Sequence, residues 1–70
     1  MNFSEALKAM KMGSKASRES WRGRISYWFM SEDANGESLI MEMKPNDDTD
    51  ELVENVSLEE IFAEDWWIVT

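Results

Sequence analysis

Arg18, Trp21, Arg22 and Arg24 fall within seven residues, with Lys15 just upstream. Guanidinium groups pair bidentately with phosphate, and an indole face stacks on a nucleobase. That combination suits the capture of a small nucleotide anion. Catalysis finds much less to work with. Histidine and cysteine are absent, so Ser–His and Cys–His nucleophiles cannot be assembled, and zinc, copper and haem sites of the usual kinds lose their ligands. Three scattered glycines make no phosphate-cradling loop. Two carboxylates could in principle hydrolyse a glycoside, but so short a domain offers little cleft for a sugar chain. The Asp48-x-Asp50 spacing suggests a calcium loop, yet counting from Asp48 puts Val53 where the sixth-position glycine belongs, with Glu59 at the twelfth. The expectation is a binding protein, not an enzyme, with no metal and no cofactor. The residues leave a plainer alternative open: Trp21 as an ordinary core or interface aromatic, and the arginines as a solvated face.

The distribution of charge sharpens this reading. Residues 1–24 carry a net +4 and residues 25–70 a net −12, for a formal −8. An acidic surface repels nucleic-acid backbones, so general DNA binding is disfavoured. The basic first third still suits a local pocket for something small and anionic. Excess acid also keeps a small, Trp-rich oligomer soluble.

The elements that must position these side chains come from one domain, residues 1–70. At this size only about 60% of the unfolded surface is buried on folding, so a lone chain is marginal. Without disulfides or metal, oligomerisation is the support that remains. Hydrophobic residues make up 43% of the chain, including four Trp, which is ample for a core. There is no basic segment followed by an apolar signal core, and no apolar run near the roughly 20 residues that span a bilayer. A soluble, cytoplasmic chain is expected.

Phe3, Ala6, Leu7 and Met10 repeat at helical spacing, which predicts a helix over 4–12 capped by Ser4 and stopped at Gly13. Lys15 to Ser20 reads as a short polar extended segment closed by Trp21. Residues 24–30 alternate as a strand, with Ile25, Tyr27 and Phe29 on one face and Ser26, Trp28 and Met30 on the other. Bulk on both faces implies cover on both sides, by a helix and by another subunit. Asn35-Gly36 marks a reverse turn, and Leu39, Met41 and Met43 share one face of a returning strand over 38–44. Residues 45–50 read as a turn and 51–55 as a further strand. Ser57 and Glu60 match a capping box that opens a single helical turn. The last strand, 65–69, sets Trp66 and Ile68 opposite Trp67 and Val69. The architecture expected is α+β: one N-terminal helix on a small curled antiparallel sheet of four to five strands, with a short helical turn before the last strand.

Met1-Asn2-Phe3-Ser4-Glu5-Ala6-Leu7, Arg18-Glu19-Ser20-Trp21 and the ending Ile61 to Val69 resemble a small phage and bacterial family, the anti-Thoeris sponges. The resemblance implies capture, without cleavage, of cyclic nucleotide alarm signals: cyclic ADP-ribose isomers and, for some members, cyclic oligonucleotides. It also implies a tetramer built as a dimer of dimers, with pockets between subunits, acting in the host cytoplasm. On that basis Trp21 is the ligand-binding residue expected first, with Glu60 at an acidic position of the family; the basic cluster itself adds Arg18, Arg22 and Arg24, and Trp28 is the candidate for a second stacking wall. Glu54 stands where the family often has a Trp. Two other readings stay open: an acidic decoy that mimics DNA and blocks a DNA-binding defence protein, and an assembly module without a ligand. The basic cluster interrupting the acidic field argues against the decoy.

Overall fold

In a computed structural model, which describes residues 1–46 and 49–69, the chain order is helix, three strands, an edge strand, a short helix and a last strand. Helix α1 spans Phe3–Lys11. Its cap is Asn2 rather than Ser4: the Asn2 side chain accepts from the Glu5 N–H while the Glu5 carboxylate accepts from the Asn2 N–H, a complete capping box. The helix stops where expected. Gly13 takes φ +96°, and its N–H returns to the Met10 carbonyl.

Strand β1, Lys15–Arg18, runs into one 3₁₀ turn over Glu19–Trp21. Strands β2 (Tyr27–Glu32) and β3 (Ser38–Met43) form the hairpin expected around Asn35-Gly36. Asp33 organises that hairpin loop by accepting from the Asn35 and Glu37 N–H groups. Strand β4 is Asp50–Leu52, helix α2 is Leu58–Phe62, and strand β5 is Trp66–Val69. All pairings are antiparallel, in the order β4-β3-β2-β1-β5. The α+β expectation holds, with five strands in an open sheet.

Several boundaries differ from the sequence reading; β4, expected over 51–55, is the three-residue strand Asp50–Leu52. Strand β2 begins at Tyr27, not Arg24, because the Arg24 and Ile25 N–H groups both turn back to the Trp21 carbonyl. The polar extended segment expected over 15–20 is extended only to Arg18 and is not solvated there. Ala16, Ser17 and Arg18 are buried, because β1 pairs with β2 on one side and β5 on the other. Asp47 and Asp48, and with them the start of the calcium-loop spacing, lie outside the described residues.

The connection from β4 to β5 crosses the same face of the sheet that α1 covers, contributing Val53, Val56 and Ala63 to the packing. Beneath lie Ala6, Met10, Ala16, Trp21, Trp28 and Trp66, the buried core. Trp66 faces in and Trp67 faces out, as strand alternation requires. No helix is long and apolar enough to cross a membrane.

Candidate functional site

The residues from 18 to 24 occupy one continuous stretch, the end of β1, the 3₁₀ turn and the turn into β2, but the fold divides them sharply. Arg18 is 8% exposed and stands directly across from Trp66. Its Nε donates to Asp65 Oδ1 at 2.8 Å, and a terminal nitrogen lies 3.4 Å from Glu60 Oε1 and 3.8 Å from Glu59. Asp65 is a partner the sequence reading missed. Its other oxygen accepts from the Ser20 N–H, so one carboxylate holds both the guanidinium and the start of the 3₁₀ turn. A charged residue two positions from a buried alanine on a strand requires such a partner. Only the register tells which one.

Glu60 is brought beside Arg18 and also accepts from the Ser57 hydroxyl. Ser57 is the N-cap of α2, as expected, but its side chain makes no capping bond to the backbone. Its hydroxyl is turned instead to the carboxylate that Arg18 draws in. The Glu60 carbonyl accepts from the Trp66 indole at 3.0 Å. Arg18, Glu60, Asp65 and Trp66 thus tie the last connection to β1.

The Arg18 guanidinium, donating to Asp65, holds that carboxyl below its ordinary value of 3.8. The sign follows from linkage. A carboxyl whose folded pKa is depressed stabilises the fold above the unfolded value, and that contribution is lost as pH falls through the folded pKa. Asp65→Asn is therefore expected to flatten the acid limb of the stability curve below about pH 4. Urea titrations of both proteins between pH 2 and pH 6 check it; parallel curves overturn the assignment.

Trp21 is 1% exposed and packs against Trp28 at 4.9 Å between ring centroids and edge-on to Trp66 at 5.1 Å. Trp28 is likewise buried, and its indole N–H donates to Glu42, its cross-strand neighbour, at 3.0 Å. Within the chain both expected stacking rings are core. Arg22 and Arg24 are the opposite case. Both are exposed on the turn at Gly23 (φ +77°). Arg22 pairs with Glu19. Arg24 takes part in none of the ion pairs among the described residues. Two open grooves of about 510 and 470 Å³ flank β3, and none of the six expected residues lines either. Among the described residues no group of three or more acidic side chains is placed to hold a metal ion.

The sequence matches the Thoeris anti-defense 2-like domain over residues 1–69. The chain belongs to that family. Its membership supports an anti-Thoeris role and suggests a signalling molecule as partner. No curated protein and no solved structure matches the chain significantly. Of this anti-Thoeris chain's expected site residues, then, Arg18, Trp21, Trp28 and Glu60 are engaged inside the fold, and Arg22 and Arg24 face solvent.

Proposed function

We propose that the chain is a sponge: it binds a cyclic nucleotide signal and holds it without cleaving it, as a homotetramer in the host cytoplasm. The observation that carries this reading is the exposed Arg22–Gly23–Arg24 turn, seated on buried Trp21, in a chain of net charge −8 that belongs to an anti-Thoeris family. Guanidinium groups on an anchored turn meet phosphate with little ordering cost. Trp21 then acts from beneath, as the anchor of the turn, and the ligand's remaining contacts come from a neighbouring subunit. A decoy that mimics DNA is favoured less, because Glu42, Glu60 and Asp65 are turned to internal donors rather than to a continuous surface stripe.

Calorimetric titration with cyclic ADP-ribose isomers and cyclic di- and trinucleotides tests the reading, and silence across the panel overturns it. Heating a saturated complex should return the nucleotide unchanged; a ring-opened product absent from a buffer control overturns capture without cleavage. Arg24→Ala should weaken binding roughly ten- to a hundredfold, the equivalent of one charge-assisted hydrogen bond. Its stability should stay within about 0.5 kcal/mol of the parent, as for surface substitutions generally. Added salt should weaken the parent more than the variant.

A further inference from the structure

The 3₁₀ turn Glu19–Trp21 leads into the arginine turn, and it opens without a cap of its own. Arg18 stands at the N-cap and gives the turn no side-chain bond. The N–H groups that start such a turn have no partner within it and need acceptors from elsewhere. Both acceptors come from Asp65. Its carbonyl accepts from the Glu19 N–H at 3.2 Å, and its Oδ2 accepts from the Ser20 N–H at 3.1 Å. The next residue, Trp66, packs edge-on against Trp21 at the other end of the turn. The start of β5 therefore holds both ends of the turn, with Asp65 acting from 45 positions away.

We propose that Asp65 is a positioning residue for the ligand: its carboxylate fixes the turn from which Arg22 and Arg24 reach a phosphate. The proposal rests on the arginine turn being the binding element, as proposed above, and names what keeps that element in place.

Beyond Trp21 the backbone takes its bearings from the same turn. The Arg24 and Ile25 N–H groups both close on the Trp21 carbonyl, at 2.8 and 3.3 Å. Arg22 pairs with Glu19, which lies on the 3₁₀ turn itself. Any reorientation of the turn thus carries both arginines with it. An element already ordered meets its ligand with little entropy loss, whereas a loosened one has to be ordered as the ligand binds. Asp65 serves two partners, and their effects separate. Oδ1 accepts from the Arg18 Nε at 2.8 Å, which joins β1 to the start of β5. Oδ2 caps the turn. Stability should follow the first bond and affinity the second.

Variants built on Arg18→Ala test this, because there the ion pair is already gone and no guanidinium is left unpaired. Adding Asp65→Asn keeps an amide oxygen for the Ser20 N–H, since Asn caps about as well as Asp; adding Asp65→Ala removes it. The Asp65 carbonyl stays in both, and neither addition leaves a charge without its partner, so both double variants should fold. Calorimetry with the cyclic nucleotide panel should find Arg18→Ala and the Asn double variant within about threefold of the parent. The Ala double variant should bind at least about tenfold more weakly. Without ligand, its Arg24 and Ile25 amides should exchange hydrogen about tenfold faster relative to those of the β2–β3 hairpin, while the Asn double variant keeps the parent's ratio. Equal affinity in the two double variants overturns the proposal, and so does an equal loss in both, which would leave Asp65 a role in stability alone. If the parent binds nothing in the panel, the ligand role falls with the sponge reading, and unchanged exchange in the Ala double variant would also remove Asp65 from the turn.

Discussion

Trp21→Ala is expected to lower stability by about 3–5 kcal/mol, the range for emptying a buried Trp site. A 70-residue domain has only roughly 4–10 kcal/mol in total, so the loss is a large fraction of the fold. Trp21 is the centre of the core. It contacts Trp28 and Trp66 directly, and it ends the 3₁₀ turn whose carbonyl collects the Arg24 and Ile25 N–H groups. Removing the indole takes away the packing of two other indoles and the anchor of the arginine turn together. The melting temperature should fall by at least about 12 °C, since each kcal/mol shifts a domain of this size by roughly 4–8 °C. Trp21→Phe leaves a smaller void and should cost less. Had Trp21 been an open stacking platform, Trp21→Ala would instead leave the melt unchanged and weaken nucleotide binding by roughly ten- to a hundredfold. Thermal melts and titrations on the same two variants separate these outcomes.

Arg18→Ala should cost about 2–3 kcal/mol, near the value of one or two hydrogen bonds to a charged partner. The substitution leaves Asp65 and Glu60 facing each other across an empty site, and the partial exposure of Asp65 limits the penalty. Arg18→Lys should recover little, because an ammonium cannot reproduce the fork that meets two carboxylates. A double-mutant cycle between Arg18→Ala and Asp65→Asn should show a coupling of at least about 1 kcal/mol. Additive losses would detach Arg18 from Asp65. Nucleotide affinity of folded Arg18→Ala should match the parent, since its guanidinium is already directed at carboxylates; a tenfold loss would return Arg18 to the ligand site.

The elements legible in the sequence are those whose signals are local. Helix α1, its stop at Gly13, the hairpin at Asn35-Gly36 and the opposition of Trp66 to Trp67 each follow from bonds or spacings within a few residues. So does the separation of a basic first third from an acidic remainder. The resemblance at both chain ends was enough to name the family. What only the tertiary structure decided is the assignment of each side chain to the core or to the surface. Alternation says that Trp66 and Trp67 face opposite ways, but not which of them meets the helix. The arginines of 18–24 look equivalent in the sequence. Arg18 differs because the β1–β5 register, spanning almost the whole chain, brings Asp65 to it from 47 positions away. Arg24 stays outside the ion pairs of the described residues because no strand delivers a carboxylate to its turn. A charge is committed to the fold or left for binding by its long-range partner, and that partner is set by strand pairing, which local pattern does not encode.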